Sequence, residues 1–536
     1  MRLGFPQLQR GWALAAALCF GLVGCASGNG NGSPPPAETP SEFAPSDAAP
    51  AVVTPSDTAP PDTAPPANAA PEIPPGFEQW YNQPLTWETC DWGWQCATIS
   101  APLSWGDPGA GAIELALKMR PAEGEKLGTL VLNPGGPGSS GLSFVTAAVD
   151  FIGEPVLQAY DILGFDPRGI GESAPVRCFD DERKDWFIST DFTPGAQGRP
   201  DIKAAAEEFA AACADNTGLV LGEIDSQSTA RDMDLIRHLV GDTKLNYLGY
   251  SYGTLLGAYY AGLFPHNVGA MVLDGAIDIT LGFDESARSQ AKGFENALNA
   301  YVTYCQENAG CPLTGTVSDG MAQIEALFQE AFEHTIPTGT ARALTRNLAL
   351  LGVAVTLYDE MSWPILTQAL EQAINQGNGY TLLMLADWYN DRLADGSFST
   401  NSQEAFIAIS CLDGRGATDP EIMDANNTIL SEYAPTIGIF FHDGGLMCWG
   451  WPHPEVEIEF DIHAPGAAPI LVIGTTGDPA TPYEEAVALA ATLDSGVLLT
   501  YNGEGHGAYG RSNECIMETV DEFLVAGVIP EPNRRC

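Results

Sequence analysis

Basic residues are scarce in this chain. Its 536 residues include 23 Lys and Arg against 69 Asp and Glu, a formal charge of −46. That balance argues against nucleic acid as a partner, because a binder needs cations to displace the counterions of phosphate. It fits a solvated acidic coat that keeps a secreted body soluble. Metal-ligand spacings are also missing. There is no Cys-x-x-Cys pair and no His-Glu-x-x-His, so no metal is expected, and no other cofactor. After the first 24 residues no apolar run is long enough to span a bilayer. Apolar residues are otherwise plentiful at 45%, and the length suits one large domain with an insertion.

Residues 1–24 carry Arg2 and Arg10, an apolar run from Trp12 to Val23 and no acidic residue. This is the pattern of a secretory signal, too short for a membrane span. It ends in Leu22-Val23-Gly24-Cys25, which resembles a bacterial lipobox, with cleavage before Cys25 and lipidation of its thiol. Residues 25–76 are rich in Pro, Ala, Ser and Thr and repeat Asp-Thr-Ala-Pro-Pro at 57–61 and 62–66. A stretch without core-forming residues reads as a disordered tether. The expected place is therefore the bacterial cell envelope, with the membrane reached through the lipid alone.

Of twelve cysteines, Cys19 leaves with the signal and Cys25 takes the lipid, so ten remain in the folded part. An even number in an exported chain favours disulfides over metal ligands. Sequence leaves the connectivity open. Proximity suggests Cys90–Cys96, Cys178–Cys213, Cys305–Cys311, Cys411–Cys448 and Cys515–Cys536.

Residues 77–125 hold Trp80, Trp87, Trp92, Trp94 and Trp105 and two strands, about 96–100 and 113–119. Tryptophans so dense fit a flap packed on a sheet better than a ligand groove. Short, mainly apolar strands then alternate with helices: strands at 129–132, 160–165, 245–249 and 270–273, helices near 202–213, 229–240 and 254–264. This is the pattern of a doubly wound, mostly parallel sheet. It stops near Ile279 and resumes at Pro469-Ile470-Leu471-Val472-Ile473, followed by helix 482–493, strand 496–501 and helix 514–526. The segment between reads mainly as helices. The organisation expected is a core in two parts, 77–280 and 465–536, with a helical cap, 281–464, over the C-terminal edge of the sheet.

Gly249-Tyr250-Ser251-Tyr252-Gly253 lies between a strand and a helix. A Gly-x-Ser-x-Gly turn in that context is the nucleophile elbow of the α/β-hydrolase fold. A serine needs a base to take its proton and a third group to orient that base, in the chain order Ser, acid, His. Of seven histidines, only His506 follows a late strand within a glycine turn, Gly503-Glu504-Gly505-His506-Gly507. The acid is expected after the preceding strand, where Gly477-Asp478-Pro479 fits. Asp274, at the end of an earlier strand, is the alternative. Asp478 could instead cap the next helix, but Thr481 before Pro482 suits that place better. The developing oxyanion needs preorganised N–H donors. Tyr252, just after the nucleophile, offers one, and the loop 135–138 offers the other, from Gly136 rather than Gly135. That loop does not cradle phosphate: no Gly-Lys-Ser/Thr follows, and Pro137 lacks a donor.

Five motifs stand in one order: Asn133-Pro134-Gly135-Gly136-Pro137-Gly138, Phe165-Asp166-Pro167-Arg168-Gly169-Ile170-Gly171-Glu172-Ser173, the elbow, Thr476-Gly477-Asp478-Pro479-Ala480-Thr481-Pro482 and Gly505-His506-Gly507. Together they resemble the tripeptidyl aminopeptidase branch of the α/β-hydrolases, related to prolyl aminopeptidases. Cys411-Leu412-Asp413 and Cys448-Trp449-Gly450-Trp451-Pro452 resemble it too. The resemblance covers about 78–536 and implies an exported serine exopeptidase acting on free N-termini of peptides. Pro134 stands where prolyl aminopeptidases have His, which favours the tripeptidyl branch. Recognition of an ammonium group calls for carboxylates near the cleft, and Glu172, Asp413 and Glu504 adjoin the motifs. Two rivals stand beside this reading: a carboxylesterase with the same triad, and a non-catalytic binding protein on the same scaffold.

Overall fold

The computed structural model describes residues 73–536. The expected signal 1–24, the lipid-bearing Cys25 and all but the end of the 25–76 tether lie outside the described residues.

The framework is one ten-stranded sheet in the order β1-β2-β3-β5-β4-β6-β7-β8-β9-β10. Its strands are β1 Glu88–Thr89, β2 Gln95–Pro102, β3 Ala112–Arg120, β4 Gly128–Asn133, β5 Tyr160–Phe165, β6 Leu245–Tyr250, β7 Val268–Asp274, β8 Ile470–Gly477, β9 Gly496–Glu504 and β10 Arg534–Arg535. The first three pair antiparallel, and β3 meets β5 antiparallel. From β5 through β10 every pairing is parallel. This is the α/β-hydrolase fold. The central strands are mainly apolar because both faces are covered. Val131, Leu163, Tyr247, Met271 and Val472 face one layer of core. Their alternates Leu130, Leu132, Ile162, Leu248, Val272 and Leu471 face the other. One register thus serves two hydrophobic layers.

Trp80, Trp87, Trp94 and Trp105 of the N-terminal flap go into packing. Trp80 and Trp94 are buried, and Trp105 stacks on Phe77 at 5.1 Å while its indole N–H donates to Asp232 at 2.9 Å. Asp232 also takes two 2.7 Å bonds from Arg168, a fully buried pair. Arg168 donates further to the carbonyls of Pro102, Leu103 and Glu223. The Asp166-Pro167-Arg168 motif thereby ties the flap to the helix Ser226–Leu239.

Between β7 and β8 the chain forms helices Phe283–Glu307, Val317–His334, Arg346–Leu357, Trp363–Leu370, Tyr380–Tyr389, Ser402–Asp413 and Pro420–Tyr433. Most have their own core, including Phe294, Leu298, Tyr301, Leu348, Leu366, Leu382 and Leu430. The helix Ser402–Asp413 is different. Ala405, Phe406, Ala408, Ile409 and Leu412 pack into the core of the sheet, with Cys448 and Trp451. The inserted segment is therefore not set apart from the sheet along its whole length. Five disulfides join the cysteines nearest in sequence: Cys90–Cys96, Cys178–Cys213, Cys305–Cys311, Cys411–Cys448 and Cys515–Cys536.

Candidate active site

Ser251 stands between β6 and the helix Tyr252–Leu263 at φ 56° and ψ −125°. A non-glycine residue holds such a backbone only where its surroundings impose it. Close packing explains the flanking glycines. A Cβ on Gly249 would lie 2.4 Å from the Gly253 carbonyl oxygen, and one on Gly253 would lie 2.8 Å from Asn133 Oδ1. The turn sets the serine at the N-terminus of a twelve-residue helix, whose partial positive charge favours an anion.

His506 follows β9, and its Nδ1 lies 2.7 and 2.9 Å from the two carboxylate oxygens of Asp478. Thr481 Oγ1 is 3.2 Å from the same nitrogen. The carboxylate is itself held: Oδ1 accepts the N–H groups of Ala480 and Thr481 at 2.9 Å, and Oδ2 accepts that of Gly507 at 3.2 Å. A carboxylate facing Nδ1 puts the ring proton there, so the neutral imidazole carries its lone pair on Nε2. That nitrogen is buried and without a hydrogen-bond partner. Above the ring sits Tyr358, edge to face at 5.6 Å, and its carbonyl accepts the His506 N–H at 2.9 Å.

Asp274 joins the two loops. Its carbonyl accepts the Ser251 N–H at 2.9 Å. Its carboxylate accepts the N–H groups of Ala508 at 3.0 Å and Tyr509 at 2.7 Å. Gly275 follows, where a Cβ would lie 3.0 Å from the imidazole Cε1. The serine turn and the histidine loop are thus stitched side by side through one residue. Asp274 binds backbone on the histidine loop and makes no hydrogen bond to the imidazole, so between the two acidic candidates Asp478 has the orienting position. Burial pushes the Asp274 carboxyl up to about 6, against its two backbone donors.

The glycine loop presses on the elbow: a Cβ on Gly135 would lie 2.6 Å from the Tyr250 carbonyl oxygen and 2.9 Å from the Ser251 Cβ. Gly135 donates its N–H to Asn133 Oδ1 at 2.9 Å. That engagement favours Gly136 over Gly135 as a donor to substrate.

The three carboxylates expected for an ammonium group stand at separate places. Glu172 is exposed and lines an open groove together with Gly138 and Lys184. Glu504 is half-buried, with its carboxyl raised by burial and by the nearby Glu360 charge. Asp413 accepts the Ser226 N–H at 2.8 Å and the Ser226 hydroxyl at 2.5 Å, and burial pushes it up to about 7. Sequence reasoning missed Ser226. It also assigned Thr481 to a helix cap, whereas the helix Tyr483–Thr492 has Pro482 at its N-cap and the Thr481 hydroxyl faces His506. A cavity of about 340 Å³ lies between segment 187–206 and the inserted helices, lined by Phe187, Leu350, Tyr389, Phe441 and Gln403. Gln403 adjoins Ser402, whose carbonyl abuts Gly138. Among the described residues no group of three or more His, Cys, Asp or Glu is placed to hold a metal ion, and no helix is long and apolar enough to cross a membrane.

One family and three relatives are similar to this chain in sequence. Residues 434–536 match the family described as TAP-like protein. The serine protease Hip1 of Mycobacterium tuberculosis is 35% identical over 479 residues, covering 85% of this chain and 91% of that protein. A protein named carboxylesterase B, from the same species, is 35% identical over 453 residues, covering 82% and 86%. The tripeptidyl aminopeptidase of Streptomyces lividans is 29% identical over 460 residues, covering 83% and 84%.

Proposed function

Because this chain belongs to the TAP-like family of α/β-hydrolases, and is a serine hydrolase, we propose that it is an exported exopeptidase that releases short peptides from free N-termini. Ser251 is the nucleophile. His506 Nε2 takes the serine proton as the oxygen attacks the scissile carbonyl, and Asp478 keeps the proton on Nδ1 and balances the imidazolium. The N–H groups of Gly136 and Tyr252 receive the oxyanion. Collapse expels the amine, protonated from Nε2, and leaves an acyl-enzyme on Ser251. Water, deprotonated by the same nitrogen, then releases the acid. The carrying observation is the buried Asp478–His506 pair, with Nε2 unpartnered, beside a serine held at positive φ. No hydrogen bond joins Ser251 to His506 Nε2 here; in free enzymes such catalytic bonds are often long and tighten in the complex.

The test compares a free-amine tripeptide chromogenic substrate with its N-acetylated twin, with Ser251→Ala as the blank. Acetylation is expected to cut kcat/KM at least about 100-fold, the scale of a lost charged contact; equal rates would refute N-terminal recognition. Export and lipidation are read from residues 1–24 and Cys25, and in the same experiment Cys25→Ala is expected to move activity from the membrane fraction to the soluble one. A second reading has its own support, since a relative of equal identity is named a carboxylesterase. Turnover of short acyl esters with none of any peptide would favour it. A non-catalytic scaffold would be favoured by failure of a fluorophosphonate to label the protein.

A further inference from the structure

The helix Ser402–Asp413 packs on the glycine loop at one end and reaches Tyr252 through Ser226 at the other. At its start, the Ser402 carbonyl and the Phe406 N–H pack so closely on Gly138 that a Cβ there would meet them at 2.3 and 3.2 Å. At its end, Asp413 reaches Ser226, the first residue of the helix Ser226–Leu239. Asp413 accepts the Ser226 N–H and hydroxyl. The Ser226 oxygen in turn meets the phenol oxygen of Tyr252 in a very short contact. Ser226 has one hydroxyl proton. When Asp413 is ionised, above about pH 7, it can only accept and draws that proton, so the Tyr252 phenol donates to the Ser226 oxygen. The chain of donors runs one way, from Tyr252 through Ser226 to Asp413, in a buried setting where such bonds reinforce each other. Tyr252 is also the residue after Ser251 whose N–H faces the developing charge. The phenol contact holds Tyr252 as the first residue of the helix Tyr252–Leu263, and with it the Cα next to this N–H.

We infer that Asp413 and Ser226 are positioning residues for the oxyanion site: through the Tyr252 phenol they fix the backbone N–H beside the nucleophile. The inserted segment is then part of the machinery and not only a cover. The Cys411–Cys448 disulfide pins the same end of the helix. This assignment also removes Asp413 from the carboxylates that would bind a substrate ammonium group, since both its oxygens are engaged. The inference rests on Ser251 being the nucleophile.

The test is a double-mutant cycle on the full chain with Ser226→Ala and Tyr252→Phe, and Asp413→Asn beside it. Both hydroxyl deletions leave backbone donors in place. Each single variant is expected to lose about 10-fold in kcat, less than removal of an oxyanion donor itself, with KM within about twofold of the parent. The double variant should be no slower than the slower single, because the residues act as one unit. Asp413→Asn should resemble Ser226→Ala, because the two Ser226 donors go to different carboxylate oxygens and an amide replaces one of these with a donor. Unchanged kcat in Tyr252→Phe, or losses that multiply in the double variant, would overturn the inference. So would a raised KM at constant kcat in Asp413→Asn, which would return that residue to substrate binding. Ser251→Ala separates the layers. If it keeps full activity, the nucleophile assignment falls and takes the inference with it. If it is dead while Tyr252→Phe is unaffected, the inference alone falls.

Discussion

Buried polar groups decide the local geometry here, and Asp274 is the clearest instance. Its carboxylate satisfies two buried N–H groups that aim the His506 loop. Removing it by Asp274→Ala leaves those donors unsatisfied, at a cost of about 2–4 kcal/mol. Urea unfolding is expected to show that loss, and kcat to fall with it; a stability change under 1 kcal/mol would contradict the role. Much of the candidate site was legible at this scale. Ser251 and His506 stand out because each needs glycine neighbours, and Asp478 because a strand ends just before it. Thr481 and Ser226 were not legible. A Thr before Pro has the features of a helix cap, and a Ser at a helix start does too. Their actual partners, His506 and Tyr252 with Asp413, come from remote parts of the chain that no local pattern reveals.

At the level of elements, central strands were readable because burial on both faces makes them mostly apolar runs, as in β4 and β5. The two-residue strands β1 and β10 were not, since two residues carry no periodicity. The helix Ser226–Leu239 starts three residues earlier than the expected 229, because Asp225 caps it through the Ser228 N–H at 2.9 Å. The Arg168–Asp232 pair that joins this helix to the flap makes a sharp prediction. Arg168→Met strands a buried carboxylate and should cost about 3–5 kcal/mol, whereas pairing it with Asp232→Leu should recover most of that. Denaturant unfolding of the three variants distinguishes the cases; equal losses in the single and double variants would refute the account.

For the molecule as a whole, charge sets the response to pH. Burial raises the carboxyls of Asp274, Asp413 and Glu485 from model-compound values of 3.8 and 4.5 to about 6, 7 and 8. Each holds its proton more tightly when folded, so from about pH 4 to 8 the native chain binds more protons than the unfolded one. Stability contributed by these groups is complete below that window and is lost as pH rises through it. Each tenfold change in proton affinity is worth about 1.4 kcal/mol. Repulsion among surface acids, in a chain of formal charge −46, acts in the same direction. The thermal midpoint is therefore expected to be higher at pH 5 than at pH 8, and to rise with salt at pH 8. A midpoint that climbs from pH 5 to 8 would show that other groups dominate.

The split packing of the inserted segment bears on attempts to change specificity by grafting. Residues 283–389 and about 420–441 share one nucleus, while 402–413 belongs to the main body. A lid transplanted from a relative must arrive as two separate pieces threaded around a resident helix. Exchanged as a single cassette, it would replace the strut beside the serine along with the roof.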